Sequence, residues 1–175
     1  MTEQEQGTQS NQGNVFAGYS PDKSKPLGPY AGLVGIYGAA FAGLMATSLN
    51  SRGGLPHEVS TRDLLLLGVA THKLTRLITK DWVTSPFRAP FTRYDGNGGA
   101  GEVNEEPRGE GWQKAMGQLV TCPWCTGPWV AGALAFGLVL APRPTRLIAS
   151  IFVAVTMSDF LHHAYDATKK AAKGK

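Results

Sequence analysis

Tyr30-Ala-Gly-Leu-Val-Gly-Ile-Tyr-Gly-Ala-Ala-Phe-Ala-Gly-Leu-Met-Ala-Thr-Ser-Leu49 carries no charge along its whole length. At about 1.5 Å per residue, a helix over this stretch roughly matches the ~30 Å hydrocarbon core of a bilayer. A core helix of a water-soluble protein seldom runs so far without a charge. The stretch therefore predicts a transmembrane helix and sets the fold class: an all-α integral membrane protein. Gly35, Ala39 and Gly43 recur every four residues, on or near one face. Small residues so spaced let a second helix approach closely within lipid, which makes helix one the candidate surface for self-association or for another membrane protein. Asn50-Ser-Arg-Gly-Gly-Leu-Pro56 ends it.

Three further helices follow from the pattern. Ser60, with Asp63 three residues on, predicts an N-terminal cap for helix two. Its first part, Leu64-Leu-Leu-Leu-Gly-Val-Ala70, is apolar, and its second, 71–81, is mixed, with His72, Arg76 and Thr79 sharing a face. Two alternatives stand: the segment spans with a polar end, or it lies in the interface as an amphipathic helix. Helix three is predicted from about Pro128, a proline suited to a first turn, to Leu140. After the break Ala141-Pro-Arg-Pro144, helix four runs from about Thr145 to Asp166, antiparallel to helix three. Three or four membrane spans result.

The apolar content is concentrated in about half the chain, so a near-neutral mean hydropathy coexists with membrane-length segments. Residues 1–29 form a polar Gln-, Gly-, Asn- and Ser-rich leader, and residues 95–111 form an acidic, glycine-rich loop. Neither buries enough apolar surface to offset its ordering entropy, so both are predicted to be disordered or flexible. Residues 30–166 then make one helical membrane domain, followed by a basic tail, 167–175. No secretory signal peptide is read in the leader. Between Trp82 and Tyr94, aromatic residues alternate with Arg88 and Arg93 around Pro86 and Pro90. This is the pattern of an interfacial loop against a lipid surface; no nucleic-acid-binding fold accompanies it.

Orientation follows from the bias of Lys and Arg towards the cytoplasm. With four spans and both termini inside, only Arg52, Arg62, Arg143 and Arg146 lie outside, leaving 13 of the 17 basic residues in the cytoplasm. With three spans and an outside N-terminus, Lys23, Lys25, Arg143 and Arg146 lie outside, and the inside count is again 13 of 17. Both arrangements put residues 80–125 and the C-terminus at the cytoplasmic face of the inner membrane.

The chain's two cysteines fall in that region, in Cys122-Pro123-Trp124-Cys125, just before the run Gly127-Pro128-Trp129-Val130. Trp124 and Trp129 are predicted interface anchors. A stable disulfide is not expected in a reducing compartment. Three readings of the pair stand side by side. Its two-residue spacing suits a tetrahedral zinc site, with His162 as a further ligand, His72 or His163 as substitutes, and Asp159 orienting a histidine from behind. Near a helix N-terminus it also suits thiol redox chemistry, although the strand–helix context of a thioredoxin domain is missing. The third reading is two small residues shaping a tight turn. No Gly-rich phosphate loop follows a strand and no Gly-x-Ser-x-Gly elbow occurs, so no catalytic or cofactor-binding residue is assigned.

Thr75-Arg76-Leu77-Ile78-Thr79-Lys80-Asp81, then Pro86-Phe87-Arg88, then Leu119 to Trp129 with its Cys-Pro-Trp-Cys-Thr-Gly core, resemble successive blocks of domain of unknown function 1360. The resemblance covers roughly residues 62–165. It implies a small bacterial or phage membrane protein without an established reaction. Pro128 departs from the family's usual Cys-x-Gly-aromatic/apolar-Trp continuation and stiffens the turn. The function expected first is a non-enzymatic membrane component acting through assembly or partner binding. A membrane-embedded zinc or thiol-redox site is the alternative, and phage-type membrane permeabilisation the second.

Overall fold

The computed structural model describes residues 19, 25–51 and 54–173, so most of the polar leader lies outside the described residues. In chain order the elements are α1 (Leu27–Asn50), α2 (Thr61–Thr79), a 3-10 turn (Trp82–Thr84), α3 (Ser85–Arg88), β1 (Thr92–Gly99), β2 (Glu102–Pro107), α4 (Gly111–Thr121), α5 (Pro123–Leu140) and α6 (Pro142–Lys173). The protein is mostly helical, and α1, α5 and α6 are each long and apolar enough to cross a membrane.

Side-chain contacts fix the helix directions. Tyr37 stacks edge-on to Trp129, and Phe41 to Phe136, so α1 and α5 run the same way. Asp63 at the start of α2 meets Arg146 near the start of α6, and Lys73 further along α2 lies 2.9 Å from Asp159 further along α6. Hence α2 and α6 also run together, and opposite to α5, which joins α6 through Ala141 alone. Helix α2 is thus seated lengthwise in the bundle rather than across its end. The start of α1, the end of α2, the start of α5 and the later part of α6 share one end, where α3, the β-hairpin and α4 form a polar cap.

The cap on α2 forms as the Ser60 spacing predicts: Ser60 Oγ accepts the Asp63 N–H at 3.1 Å. The Asp63 carboxylate turns to the Arg146 guanidinium, which donates through Nε and Nη2 at 2.9 Å each. Parallel two-bond pairing of this kind fixes geometry as well as charge. Asp63→Arg is expected to lower the melting temperature in detergent. The exchanged pair, Asp63→Arg with Arg146→Asp, should recover part of the loss. Recovery stays incomplete because a carboxylate is favoured in the first turn of α2. An exchanged pair no more stable than the single variant would show that this contact does not join the helices.

Ala70, Val130, Leu134 and Ala149 are the buried centre of the bundle, surrounded by Leu66, Leu67, Leu74, Ile78 and Phe152. Ala70 and Ala149 are wholly inaccessible, so close approach in this bundle uses alanines of α2 and α6. Among the described residues nothing packs on the expected small-residue face of α1: no atom of theirs lies within 4 Å of a Cβ built on Gly35 or Gly43. Buried threonines hide their hydroxyls by bonding back along the helix, as Thr79 does to Thr75 O at 2.7 Å and Thr156 to Phe152 O at 2.8 Å.

The expected helical class holds for most of the protein, and the structure adds a two-stranded hairpin to it and moves several boundaries. The glycine-rich acidic segment, expected to be flexible, holds the antiparallel hairpin β1–β2, with Thr92 opposite Pro107 and Gly99 opposite Glu102. Its glycines serve the turn, where Gly99 and Gly101 adopt φ of 128° and 79°, values that side chains with a Cβ rarely reach. Helix α4 was not expected at all. Helix α5 starts at Pro123, so Pro128 lies inside it, where its missing N–H cannot reach the carbonyl of Trp124. Helix α6 continues through the basic tail to Lys173.

Candidate functional site: an arginine-centred cap and a cysteine elbow

The cap is built on Arg88, which is 1% exposed. A guanidinium has five N–H donors and no acceptor, and here all five are used. Nη1 donates to Ile78 O at 2.8 Å and Thr84 Oγ1 at 2.6 Å. Nη2 donates to Asp81 O at 3.0 Å and Ser85 Oγ at 3.1 Å. Nε donates to the Glu105 carboxylate on β2, which is itself buried.

The reason for this arrangement lies in α2. The last carbonyls of a helix have no partner within it, and three such groups are satisfied in turn. Arg88 takes Ile78 O, the Thr84 hydroxyl takes Leu77 O, and Lys80 N–H takes Arg76 O at 2.7 Å. The hairpin then closes over the end: Val103 N–H donates to Lys80 O at 2.8 Å and Trp82 N–H to Gly101 O at 3.1 Å. Every glutamate of β2 meets an arginine from another element: Glu102 with Arg76, Glu105 with Arg88, Glu106 with Arg93. An open recess of about 290 Å³ lies beside this network, walled by Trp82, Tyr94 and Val103 among others.

The cysteine elbow joins α4 to α5. Cys122 is the N-cap of α5, and its Sγ accepts the Cys125 N–H at 3.2 Å. Pro123 takes the first helical position, where no donor is needed. Cys122 and Cys125 are joined as a disulfide, where a stable disulfide is not expected from the sequence. The chain-entropy account gives so short a loop only about 2 kcal/mol of stabilisation. Other bonds hold the elbow as well: Thr126 Oγ1 to Leu119 O at 2.7 Å, and Thr126 N–H to Cys122 O at 3.0 Å. Trp124 is 86% exposed, and no atom lies within 4 Å of a Cβ built on Gly127.

The residues expected as a zinc set are not assembled. Among the described residues no group of three His, Cys, Asp or Glu side chains comes together to hold a metal. His72, His162 and His163 are exposed, and Asp159 pairs with Lys73 instead of orienting a histidine. The motif residues Arg76, Asp81, Pro86 and Arg88 do converge, in the cap. Pro123, Trp124, Gly127 and Trp129 lie together at the elbow. What the sequence did not assign is the pairing role of Glu102, Glu105 and Glu106. The signal was present as three acids in a chain segment flanked by Arg76, Arg88 and Arg93.

Fold and site together define a helical protein with three membrane-length helices, a hairpin cap centred on one buried arginine, and a Cys-x-x-Cys elbow. The family model described as "Protein of unknown function (DUF1360)" matches residues 66–165, more than half of the chain, and the chain belongs to that family. It is 32% identical over 87 residues to sporulation protein YjcA of Bacillus subtilis (strain 168), covering 47% of this chain and 73% of that protein. It is 30% identical over 90 residues to UPF0713 protein YngL of the same organism, covering 49% of this chain and 65% of that one. No solved structure matches. The family region holds the buried core, the cap and the elbow, whereas α1 precedes it and packs on its outside.

Proposed function

We propose that the chain is a multi-pass inner-membrane protein that acts as an assembly or partner-binding component, with its cap, elbow and C-terminus at the cytoplasmic face. One observation carries this reading. The most apolar windows of α1, α5 and α6 are only 6%, 17% and 11% buried within the protein. Val34, Ile36, Leu147, Ile151 and Phe160 all face outward. Uncovered apolar surface on this scale marks contact with lipid or with other proteins, and helices apolar on all sides fit a bilayer. The four tryptophans, Trp82, Trp112, Trp124 and Trp129, belong to the cap and the elbow, as residues anchored at one membrane surface would.

The lengthwise seat of α2, opposite in direction to α1, favours four passes over three. Its Lys73 and Arg76 then sit towards the cap end, paired with Asp159 and Glu102, and the charge bias points that end inward. The open face of α1 is the surface offered to a neighbouring transmembrane helix. The sporulation role in one relative's name is consistent with a component of this kind; the process this chain serves is left at that level.

Reporter fusions test the topology. A C-terminal fluorescent protein should glow and a C-terminal alkaline phosphatase should be inactive, while a phosphatase inserted after Leu55 should be active. An inactive phosphatase after Leu55 would return α2 to the surface. Release of the untagged protein by alkaline carbonate would end the membrane reading.

A further inference from the structure

We propose that Cys122 and Cys125 form a thiol–disulfide exchange site that trades electrons with protein dithiols at the inner face of the membrane; the location rests on the orientation proposed above. Three observations lead there. The cysteines are within bonding reach of each other, joined as a disulfide. In a reducing compartment such bonds are commonly transient and belong to redox sensing or catalysis rather than to structure. The elbow does not need the bond to hold its shape, because the Thr126 hydroxyl and N–H and the N-cap geometry of Cys122 already fix the turn. The bond can therefore open and close with the fold intact.

The two sulfurs are unequal. Cys125 is exposed and Cys122 is half-buried. Cys122 Sγ sits at the N-cap of α5, 3.2 Å from the Cys125 N–H, where a helix terminus favours negative charge. A partner thiolate attacks the Cys125 sulfur, forming a mixed disulfide. The Cys122–Cys125 bond breaks, and its electron pair leaves on Cys122 as a thiolate held at the N-cap. The partner's second thiolate then attacks its own sulfur in the mixed disulfide and releases Cys125. Each released thiolate takes up one proton lost by the partner. The partner dithiol is oxidised to a disulfide and the elbow is reduced to a dithiol, with two electrons and two protons transferred. The leaving-group preference for a stabilised thiolate sets the direction of attack.

The test uses full-length protein in detergent with glutathione and glutathione disulfide as the probe, acid quenching, and mass counting of alkylated thiols. A single two-thiol transition is expected, reversible, with helical circular dichroism unchanged. By the same route run backwards, reduced Cys122→Ser should accumulate a glutathione adduct on Cys125. That adduct should persist on the order of tenfold longer than any adduct on Cys122 in Cys125→Ser. Reduction that occurs only in denaturant, or adducts that persist alike on both variants, would overturn the proposal. In intact cells treated with a permeant reductant, an impermeant maleimide should leave the pair unlabelled until the membrane is opened. Labelling from outside would overturn the orientation, whereas the result with purified protein decides the exchange chemistry separately.

Discussion

Arg88→Ala is expected to cost the cap about 3–5 kcal/mol, the range for removing one partner of a buried ion pair. The loss has three parts. Glu105 is left without its partner in a site with almost no access to water. The Ile78 carbonyl loses its side-chain donor and the Asp81 carbonyl keeps only the Thr84 hydroxyl, while the Thr84 and Ser85 hydroxyls lose the guanidinium as donor. Arg88→Lys should recover little, since an ammonium presents three donors from a point and cannot reproduce a planar set of five. Replacing both charges, Arg88→Met with Glu105→Leu, should be milder than Arg88→Ala, because no unpaired charge stays behind. Proteolysis within residues 92–107 and hydrogen exchange at the Val103 amide read the effect directly. An Arg88→Ala protein whose hairpin resists protease as well as the parent would refute the keystone role of this residue. The bundle core should survive, since Ala70, Val130, Leu134 and Ala149 are held by apolar neighbours from Leu66 to Ile78 and by Phe152, none of which Arg88→Ala removes.

The same network explains which features the sequence disclosed. Local signals were readable: the uncharged run of α1, the Ser60 cap, and the hairpin of α5 and α6 all depend on neighbours a few residues apart. The site was located but not built. Arg88 was visible as an interfacial cation and Glu105 as part of an acidic loop, and only their 17-residue separation in sequence hid their pairing. Charge and glycine content made residues 95–111 look unable to fold. Their stability comes instead from partners on α2, α3 and β1, together with one buried apolar side chain, Val103. No periodicity announces a strand of that kind. Composition argues against order only when a segment must bury its own surface, and this hairpin caps someone else's helix.

The cysteine elbow shows the converse. Its spacing was conspicuous and admitted metal, redox and structural readings at once. Geometry narrows them, because a ligand set must converge and the exposed histidines do not join the sulfurs. Helix α5 starting at Pro123 rather than Pro128 matters more, since it turns Cys122 from a loop residue into the N-cap.

Gly117→Ala is the second large effect expected, and its sign is decided by a contest of two terms. In a helix interior, alanine is favoured over glycine by about 1 kcal/mol. At Gly117 in α4, however, an added Cβ would sit 2.4 Å from the carbonyl oxygen of Phe91 and 3.0 Å from Pro107 Cβ. The first neighbour is backbone, so no side-chain rotation relieves the clash. Either α4 lifts from the hairpin or the strand base moves, and forcing methyl groups into such packed contacts costs about 1–3 kcal/mol. Burial strengthens the clash side of the balance, since Gly117 is itself buried. We expect net destabilisation of the α4–hairpin contact, larger still for Gly117→Val, which adds a branched side chain at the same point. Gly127→Ala provides the control: it is also helical, and nothing lies within 4 Å of its added Cβ, so the propensity gain should appear unopposed. Thermal melts of the two variants in the same detergent should therefore move in opposite directions. A Gly117→Ala protein as stable as Gly127→Ala would mean that α4 does not rest against the strand base, and that the cap is held to the bundle through α2 alone.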